Sequence, residues 1–143
     1  MTRALLLKPA NLLAALLALG AIGWLLTPPS QLTPRFTVPE VDLPTAKALI
    51  DSGAVIVDVR PKGAYDSGHI PGALSIPLEE LKKAIPADLA TAKGKRIVVN
   101  CGEGSTYGPE GTHVLNQAGF TGAANLKGGI QGWKSAGFPV EKG

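Results

Sequence analysis

The chain has very little cysteine, since Cys101 is the only one among its 143 residues. A single thiol excludes an internal disulfide and any metal site built from several thiolates. The chain also has only two histidines, so the sequence predicts no metal centre. A free thiol is unusual in an exported protein, and a reactive role would explain one there.

Aromatic and charged residues are scarce as well. Aromatic residues make up 5% of the chain and charged residues 17%, and the net charge is +3. Arg3 and Lys8 supply two of these charges in an N-terminal stretch that has no acidic residue, which leaves +1 for the rest. Because no Lys or Arg stripe is present, the sequence argues against a nucleic-acid partner.

Residues 4–26 almost lack polar side chains, because only Lys8 and Asn11 are strongly polar there. Positive charges at Arg3 and Lys8 come first, and the apolar run is intermediate in length between a signal-peptide core and a full membrane span. We predict that residues 1–27 form an apolar helix that acts as a signal peptide or a membrane anchor, with membrane contact through residues 4–26. The positive-inside rule then places the rest of the chain on the periplasmic, non-cytoplasmic side.

Residues 28–39 contain four of the twelve prolines in the chain. This composition predicts an extended spacer that merges into a first strand. The remaining residues, 40–143, are enough for one domain with its own hydrophobic core.

Helical and strand patterns alternate along residues 40–143, which predicts an α/β fold with a parallel sheet covered by helices on both faces. Short apolar runs rich in β-branched residues predict strands at 54–57, 74–76, 96–100 and 122–126. Helices are predicted to begin at Asp42 or Leu43 and to cover residues 78–85, 110–118 and 130–136, with a turn or short helix at 63–66.

Cys101 directly follows the strand predicted at residues 96–100, and ligands bind at such strand ends in open α/β sheets. The glycines after it can turn their backbone N–H groups toward one centre, and the following helix adds the positive end of its dipole. Such a loop stabilises a thiolate or a persulfide anion. We therefore predict Cys101 as a nucleophile, while a buried structural cysteine stays open as the alternative. The substrate-binding loop comprises Gly102, Glu103, Gly104, Ser105, Thr106, Tyr107 and Gly108.

Four elements in this order resemble the rhodanese family, and together they cover nearly the whole of residues 40–143. The first is Asp58-Val59-Arg60 after a strand, and the second is the Gly-His-Ile-Pro-Gly-Ala segment at residues 68–73. The third and fourth are Gln-Ala-Gly-Phe at residues 117–120 and Leu-Lys-Gly-Gly-Ile-Gln-Gly-Trp at residues 126–133.

This resemblance implies a rhodanese-like five-stranded parallel sheet flanked by helices on both faces. It also implies a sulfurtransferase that needs no metal or organic cofactor. A donor such as thiosulfate, mercaptopyruvate or a persulfide passes a sulfane sulfur to Cys101, and the Cys101 persulfide passes it to a thiol or cyanide. A protein acceptor of the sulfur is left open.

Three further residues are expected to support the loop. Asp58 and Arg60 are predicted to form ion pairs or hydrogen bonds near the pocket, with Asp66 as a partner for Arg60. His69 is predicted to order its own turn through a ring N–H bond, with catalysis as a minor alternative.

The loop departs from the Cys-x-x-Gly-x-Arg-Ser pattern of many single-domain family members, since Thr106 and Tyr107 replace the arginine and the serine. It is more similar to the Cys-Gly-x-Gly-x-Thr form of mercaptopyruvate sulfurtransferases. The loop has no cation and contains Glu103, which disfavours a dianionic donor such as thiosulfate. Phosphatase relatives need an arginine at position 107, so that activity is disfavoured. A binding or scaffold module and a redox-sensing thiol stay open as alternatives.

Overall fold

The computed structural model describes residues 35–143. The predicted signal peptide or anchor, residues 1–27, and most of the proline-rich spacer lie outside the described residues. Across residues 35–143, no helix combines the length and the apolar character that crossing a membrane requires.

Five short strands form one sheet, in which every neighbouring pair is parallel. They are β1 (Glu40–Val41), β2 (Val55–Asp58), β3 (Leu74–Ser75), β4 (Ile97–Asn100) and β5 (Ala123–Leu126). Their order across the sheet is β1-β5-β4-β2-β3, which places β4 in the centre. The predicted five-stranded parallel sheet is therefore confirmed.

Six helices are present in the described part of the chain. Their bounds are α1 (Leu43–Asp51), α2 (Lys62–Asp66), α3 (Leu78–Lys83), α4 (Ala87–Ala90), α5 (Tyr107–Gln117) and α6 (Gly129–Ser135). The helix predicted at residues 78–85 ends earlier, because Pro86 disfavours a helical Ile85 and Ala84 is already extended. The short helix α4 was not predicted.

Helix α1 begins as its sequence predicts. The Asp42 side chain accepts a hydrogen bond of 2.9 Å from the Thr45 backbone N–H, and Pro44 lies in the first turn, where no N–H donor is needed. Hydrogen bonding from Thr45 lowers the pKa of the Asp42 carboxyl. This cap fixes the start of the helix that follows edge strand β1.

Two apolar clusters cover the two faces of the sheet, as expected from strands whose successive side chains alternate between faces. Val57 and Val99 point to the side covered by α3, α4 and α5. Ile56 and Val98 point to the side covered by α1 and α6, where the fully buried Trp133 packs. Cys101 belongs to the first cluster, so its position depends on the packing of α5 against the sheet.

Candidate active site

Cys101 lies at the carboxyl end of the central strand, β4. Only 1% of the residue is exposed, because the chain after it folds back over the sulfur. The backbone N–H of Gly104 donates a hydrogen bond to Cys101 Sγ at 3.1 Å. A donor at that distance stabilises negative charge on the sulfur. The predicted contact between the loop backbone and the thiol is therefore present.

The sequence predicts several backbone N–H donors around the sulfur. In the described part of the chain, one N–H group donates to Cys101 Sγ. Gly104 has a φ of +82°, whereas Gly102 and Gly108 do not have positive φ. Tyr107 and Gly108 were predicted as loop residues, but they form the first turn of α5. The first turn of a helix has no earlier carbonyl to bond, so Pro109 fits there and the helix begins before it.

Gly104 is packed against the turn that joins β5 to α6. A Cβ atom added at Gly104 would lie 2.6 Å from the Leu126 carbonyl oxygen and 2.7 Å from the Gly128 nitrogen. Both contacts are with backbone atoms, which cannot rotate away. A glycine is therefore required here for space as well as for its backbone conformation.

Asn125 is a site residue that the sequence analysis missed. It lies in β5 and is fully buried, and its Nδ2 donates to the Gly104 carbonyl oxygen at 2.8 Å and to Glu40 Oε1 at 3.2 Å. Its Oδ1 has no hydrogen-bond partner among the described residues. Its one sequence signal is a polar residue inside an otherwise apolar strand.

Gly108 brings α5 close to both the asparagine and the sulfur. A Cβ added at Gly108 would overlap Asn125 Oδ1 and would lie 3.1 Å from Cys101 Sγ. The absence of a side chain at this position therefore lets the carboxamide and the thiol share the space below the helix.

The first turn of α6 holds the beginning of the loop. The Ile130 N–H donates to the Cys101 carbonyl oxygen at 2.9 Å, and the Gln131 N–H donates to the Gly102 carbonyl oxygen at 3.0 Å. These bonds satisfy helix-end donors that would otherwise lack partners. They also explain why the glycine-rich segment at residues 126–133 belongs to the site.

Asp58 and Arg60 form a buried ion pair beneath the loop. The guanidinium contacts both carboxylate oxygens, with Nε 2.9 Å from Oδ1 and Nη2 2.7 Å from Oδ2. Arg60 Nη2 also donates to the Gly68 carbonyl oxygen at 2.8 Å, and Asn100 Nδ2 donates to Asp58 Oδ2 at 3.0 Å. The pair therefore joins the carboxyl ends of β2 and β4 to the turn after α2.

The predicted pairing of Arg60 with Asp66 is wrong. Asp66 is bound by Lys62 at 2.7 Å, one helical turn away along α2, whereas Asp58 lies two residues from Arg60 and is fully buried. A buried carboxylate needs a charged partner more than an exposed one does.

His69 orders its own turn, as predicted. Its Nδ1 lies 3.0 Å from the Tyr65 carbonyl oxygen, and its ring stacks on the Tyr65 ring with centroids 3.7 Å apart. Its Nε2 lies 3.2 Å from Glu141 Oε1. Both ring nitrogens therefore contact groups of the turn and the C-terminal segment.

Clefts of several sizes border the loop. Two of them are lined by Glu103: one of about 420 Å³, with Phe36, Glu40 and Lys127, and one of about 290 Å³, with Arg60, Gly102, Thr106 and Tyr107. Another, of about 250 Å³, is lined by residues that include Arg35, Ser105, Thr106 and Tyr107.

The cations on the two clefts that Glu103 lines have carboxylate partners. Arg60 is paired with Asp58, and Lys127 Nζ lies 3.7 Å from Glu40 Oε2. These two clefts therefore offer weak attraction to a dianion, whereas the cleft of about 250 Å³ carries Arg35. In the part of the chain that the structure describes, no group of three or more His, Cys, Asp or Glu side chains could hold a metal ion.

Comparisons with known proteins agree with this arrangement. A family model described as "Rhodanese-like domain" matches residues 42–136. The human thiosulfate:glutathione sulfurtransferase is 33% identical over an alignment of 107 residues, which covers 66% of this chain and 92% of that protein. For three other curated relatives, the match spans only 47%, 38% and 62% of their lengths.

Solved structures are also similar. A thiosulfate sulfurtransferase from Pseudomonas aeruginosa has a TM-score of 0.65 and 37% identity, and the match covers 74% of this chain and 20% of that one. A rhodanese-like domain from Anabaena has a TM-score of 0.63 and 30% identity, covering 74% of this chain and 80% of that one.

Proposed function

The chain belongs to the rhodanese-like domain family, and on that premise we propose that it is a sulfurtransferase that carries a sulfane sulfur on Cys101. The donor is a small sulfur compound, and the acceptor is a thiol or cyanide. The proposal depends on one observation: at the carboxyl end of the central strand, the Gly104 N–H lies 3.1 Å from Cys101 Sγ. Relatives that include sulfurtransferases support the same kind of reaction.

In the first step, the Cys101 thiolate attacks the sulfur atom that the donor transfers. With thiosulfate, an S–S bond to Cys101 forms, the S–S bond of thiosulfate breaks, and sulfite leaves with the electron pair. With mercaptopyruvate, the carbon–sulfur bond breaks and the enolate of pyruvate leaves. The Gly104 amide favours the anionic sulfur that each route requires.

In the second step, an acceptor thiolate or cyanide attacks the terminal sulfur of the persulfide. A new bond to that sulfur forms, the S–S bond to Cys101 breaks, and the Cys101 thiolate leaves with the electron pair. The products are a persulfide of the acceptor or thiocyanate. Cys101 is regenerated, so the cycle needs no external oxidant or reductant.

The charges around the loop favour mercaptopyruvate or a persulfide over thiosulfate as the donor. Arg60 and Lys127 are paired with carboxylates, and the exposed Glu103 lines the clefts that contain them. A dianion approaching Glu103 meets a repulsive Coulomb energy, whereas a singly charged donor meets less.

A persulfide assay on the full chain tests the proposal. The protein is incubated with thiosulfate or with mercaptopyruvate, and its intact mass is measured. We expect a gain of one sulfur atom that is larger with mercaptopyruvate and absent in Cys101→Ser. No gain with either donor would count against sulfur transfer.

A second candidate is a binding module, because a thiol that is only 1% exposed is poorly accessible to sulfur donors. A binding module predicts no gain of sulfur from either donor, whereas a redox-sensing thiol predicts a sulfenic acid after peroxide treatment. The same mass measurement separates these functions from sulfur transfer.

We further propose that residues 1–27 hold the domain at a membrane, on the non-cytoplasmic side. The apolar run at residues 4–26 and the positive charges before it support this proposal. Alkaline extraction of membranes from cells that express the full chain should leave it in the pellet. Recovery in the supernatant would favour a cleaved signal peptide or no membrane contact.

A further inference from the structure

We propose that Asn125 is a positioning residue for the reaction at Cys101: its carboxamide holds the Gly104 carbonyl oxygen and so restrains the Gly104 backbone in the conformation that directs its N–H at Cys101 Sγ. The consequence for turnover rests on the proposed sulfur transfer. The effect on the thiol itself rests only on the contacts among these residues.

Gly104 needs an external constraint. Glycine has no Cβ, so its φ and ψ angles are limited less by its own atoms than those of any other residue. Its N–H donates to Cys101 Sγ at 3.1 Å, and its carbonyl oxygen accepts from Asn125 Nδ2 at 2.8 Å. The two groups belong to neighbouring peptide planes joined at the Gly104 Cα atom, so holding the carbonyl reduces the φ and ψ combinations in which the N–H still reaches the sulfur.

The orientation of the Asn125 carboxamide is determined by its partners. Both groups near its Nδ2 are acceptors: the Gly104 carbonyl oxygen, and Glu40 Oε1 at 3.2 Å. An amide oxygen at that position would face two acceptors and lose both bonds. Nδ2 must therefore face Gly104, and Oδ1 faces Gly108.

The buried Oδ1 atom argues that stability alone does not account for this asparagine. Oδ1 has no hydrogen-bond partner among residues 35–143, although the residue is fully buried. Leaving a buried acceptor unpaired is unfavourable. An apolar side chain in the same strand would avoid this cost, but it could not hold the Gly104 carbonyl.

Glu40 extends this arrangement to the surface. Its Oε1 accepts from Asn125, its Oε2 lies 3.7 Å from Lys127 Nζ, and its side chain lines the cleft of about 420 Å³. A chain of contacts thus runs from the cleft wall through Asn125 to Gly104, whose N–H donates a hydrogen bond to Cys101 Sγ.

The test uses the full chain with Asn125→Ala and Asn125→Asp, because aspartate keeps the shape of the side chain if alanine unfolds the protein. Cys101 is the only thiol, so the rate of its alkylation by iodoacetamide can be followed across pH. We expect the midpoint of this curve to rise by about one pH unit in the alanine variant. Aspartate also adds a negative charge beside the sulfur, so its midpoint should rise further.

Asn116 provides the matched control. Its Nδ2 also donates to two carbonyl oxygens, those of Phe120 at 3.0 Å and Ala123 at 3.3 Å, but it lies near the C-terminal end of α5. Asn116→Ala should change stability while leaving the alkylation midpoint within error of the wild type.

The outcomes separate this proposal from the proposed function. If folded Asn125 variants keep the wild-type midpoint, or if Asn116→Ala moves it equally, the positioning role is overturned. If the midpoint rises in the Asn125 variants but the wild type never gains sulfur, the positioning role stands and sulfur transfer fails. If the midpoint rises in the Asn125 variants and the wild type gains sulfur, kcat with the preferred donor should fall in Asn125→Ala while KM changes less.

Discussion

At the scale of single residues, Gly104 is constrained by both conformation and space. Its φ of +82° disfavours any residue with a Cβ, and an added methyl would press on the Leu126 carbonyl oxygen at 2.6 Å. We predict that Gly104→Ala lowers the free energy of unfolding by about 2 kcal/mol or more. It should also abolish the persulfide gain, because the donor to Cys101 Sγ moves.

Gly102 offers a control within the same loop. A Cβ at Gly102 would meet no atom within 4 Å, and its φ is not positive. The free energy of unfolding of Gly102→Ala, measured by urea titration, should therefore equal or slightly exceed that of the wild type. Equal destabilisation of the two variants would contradict the geometry given for Gly104.

The buried pair of Asp58 and Arg60 gives a second prediction. Arg60→Met removes the guanidinium but leaves a fully buried carboxylate with Asn100 as its remaining side-chain donor. We expect a loss of about 3 kcal/mol in the free energy of unfolding, measured by urea titration. Adding Asp58→Asn to Arg60→Met should recover part of this loss, because no uncompensated charge then remains buried. Failure to recover would mean that packing rather than charge dominates.

At the scale of elements, the cap of α1 predicts a dependence of stability on pH. Hydrogen bonding from Thr45 lowers the pKa of Asp42 below its ordinary value of 3.8. A group whose folded pKa is lowered stabilises the fold above its unfolded pKa, and this stability is lost as the pH falls through the folded value. The midpoint temperature of thermal unfolding should therefore depend differently on pH in the wild type and in Asp42→Asn below about pH 4. Above about pH 4, the two plots of midpoint temperature against pH should run parallel.

Asp42→Ala separates the cap from the charge. It removes the acceptor at every pH, so its unfolding midpoint should lie below that of Asp42→Asn throughout. If the alanine and asparagine variants unfold together, the Thr45 bond contributes nothing measurable.

Most helices and strands were predictable because their signals are local. The runs Val55–Asp58 and Ile97–Asn100 are apolar and β-branched, and Asp42 with Pro44 indicates a helix start. Helix α5 begins at Tyr107, three residues before the predicted start at residue 110, because a first turn accepts Pro109. Helix α4 has four residues, too few for a 3.6-residue pattern to appear.

The candidate site was only partly predictable, because sequence patterns reveal neighbours along the chain but not contacts between distant segments. Cys101 and its loop are contiguous, so one segment of sequence contains them. Asn125 and Glu40 reach the loop through strand pairings of β5 with β4 and β1, which no local pattern encodes. The predicted partner of Arg60 was wrong because Asp58 and Asp66 are both close to it in sequence, and only their burial distinguishes them.

At the scale of the whole molecule, the sheet separates two cores, and the one behind the loop supports the position of Cys101. Leu115 of α5 is fully buried in that core. We predict that Leu115→Ala costs about 2–5 kcal/mol in the free energy of unfolding. Leu74→Ala is the matched control, because Leu74 is 37% exposed, and it should cost far less. Similar losses in the two variants, measured by urea unfolding, would contradict the core assignment.

The near-complete burial of Cys101 has a consequence for how reagents of different size meet it. A molecule can contact Sγ only after loop atoms move aside, so the observed rate is the intrinsic rate multiplied by the fraction of time the loop is open. Bulky disulfides and maleimides need a wider opening than hydrogen peroxide or a hydrosulfide ion. The burial therefore excludes large reagents more strongly than small ones, and it protects the thiol from coupling to other proteins.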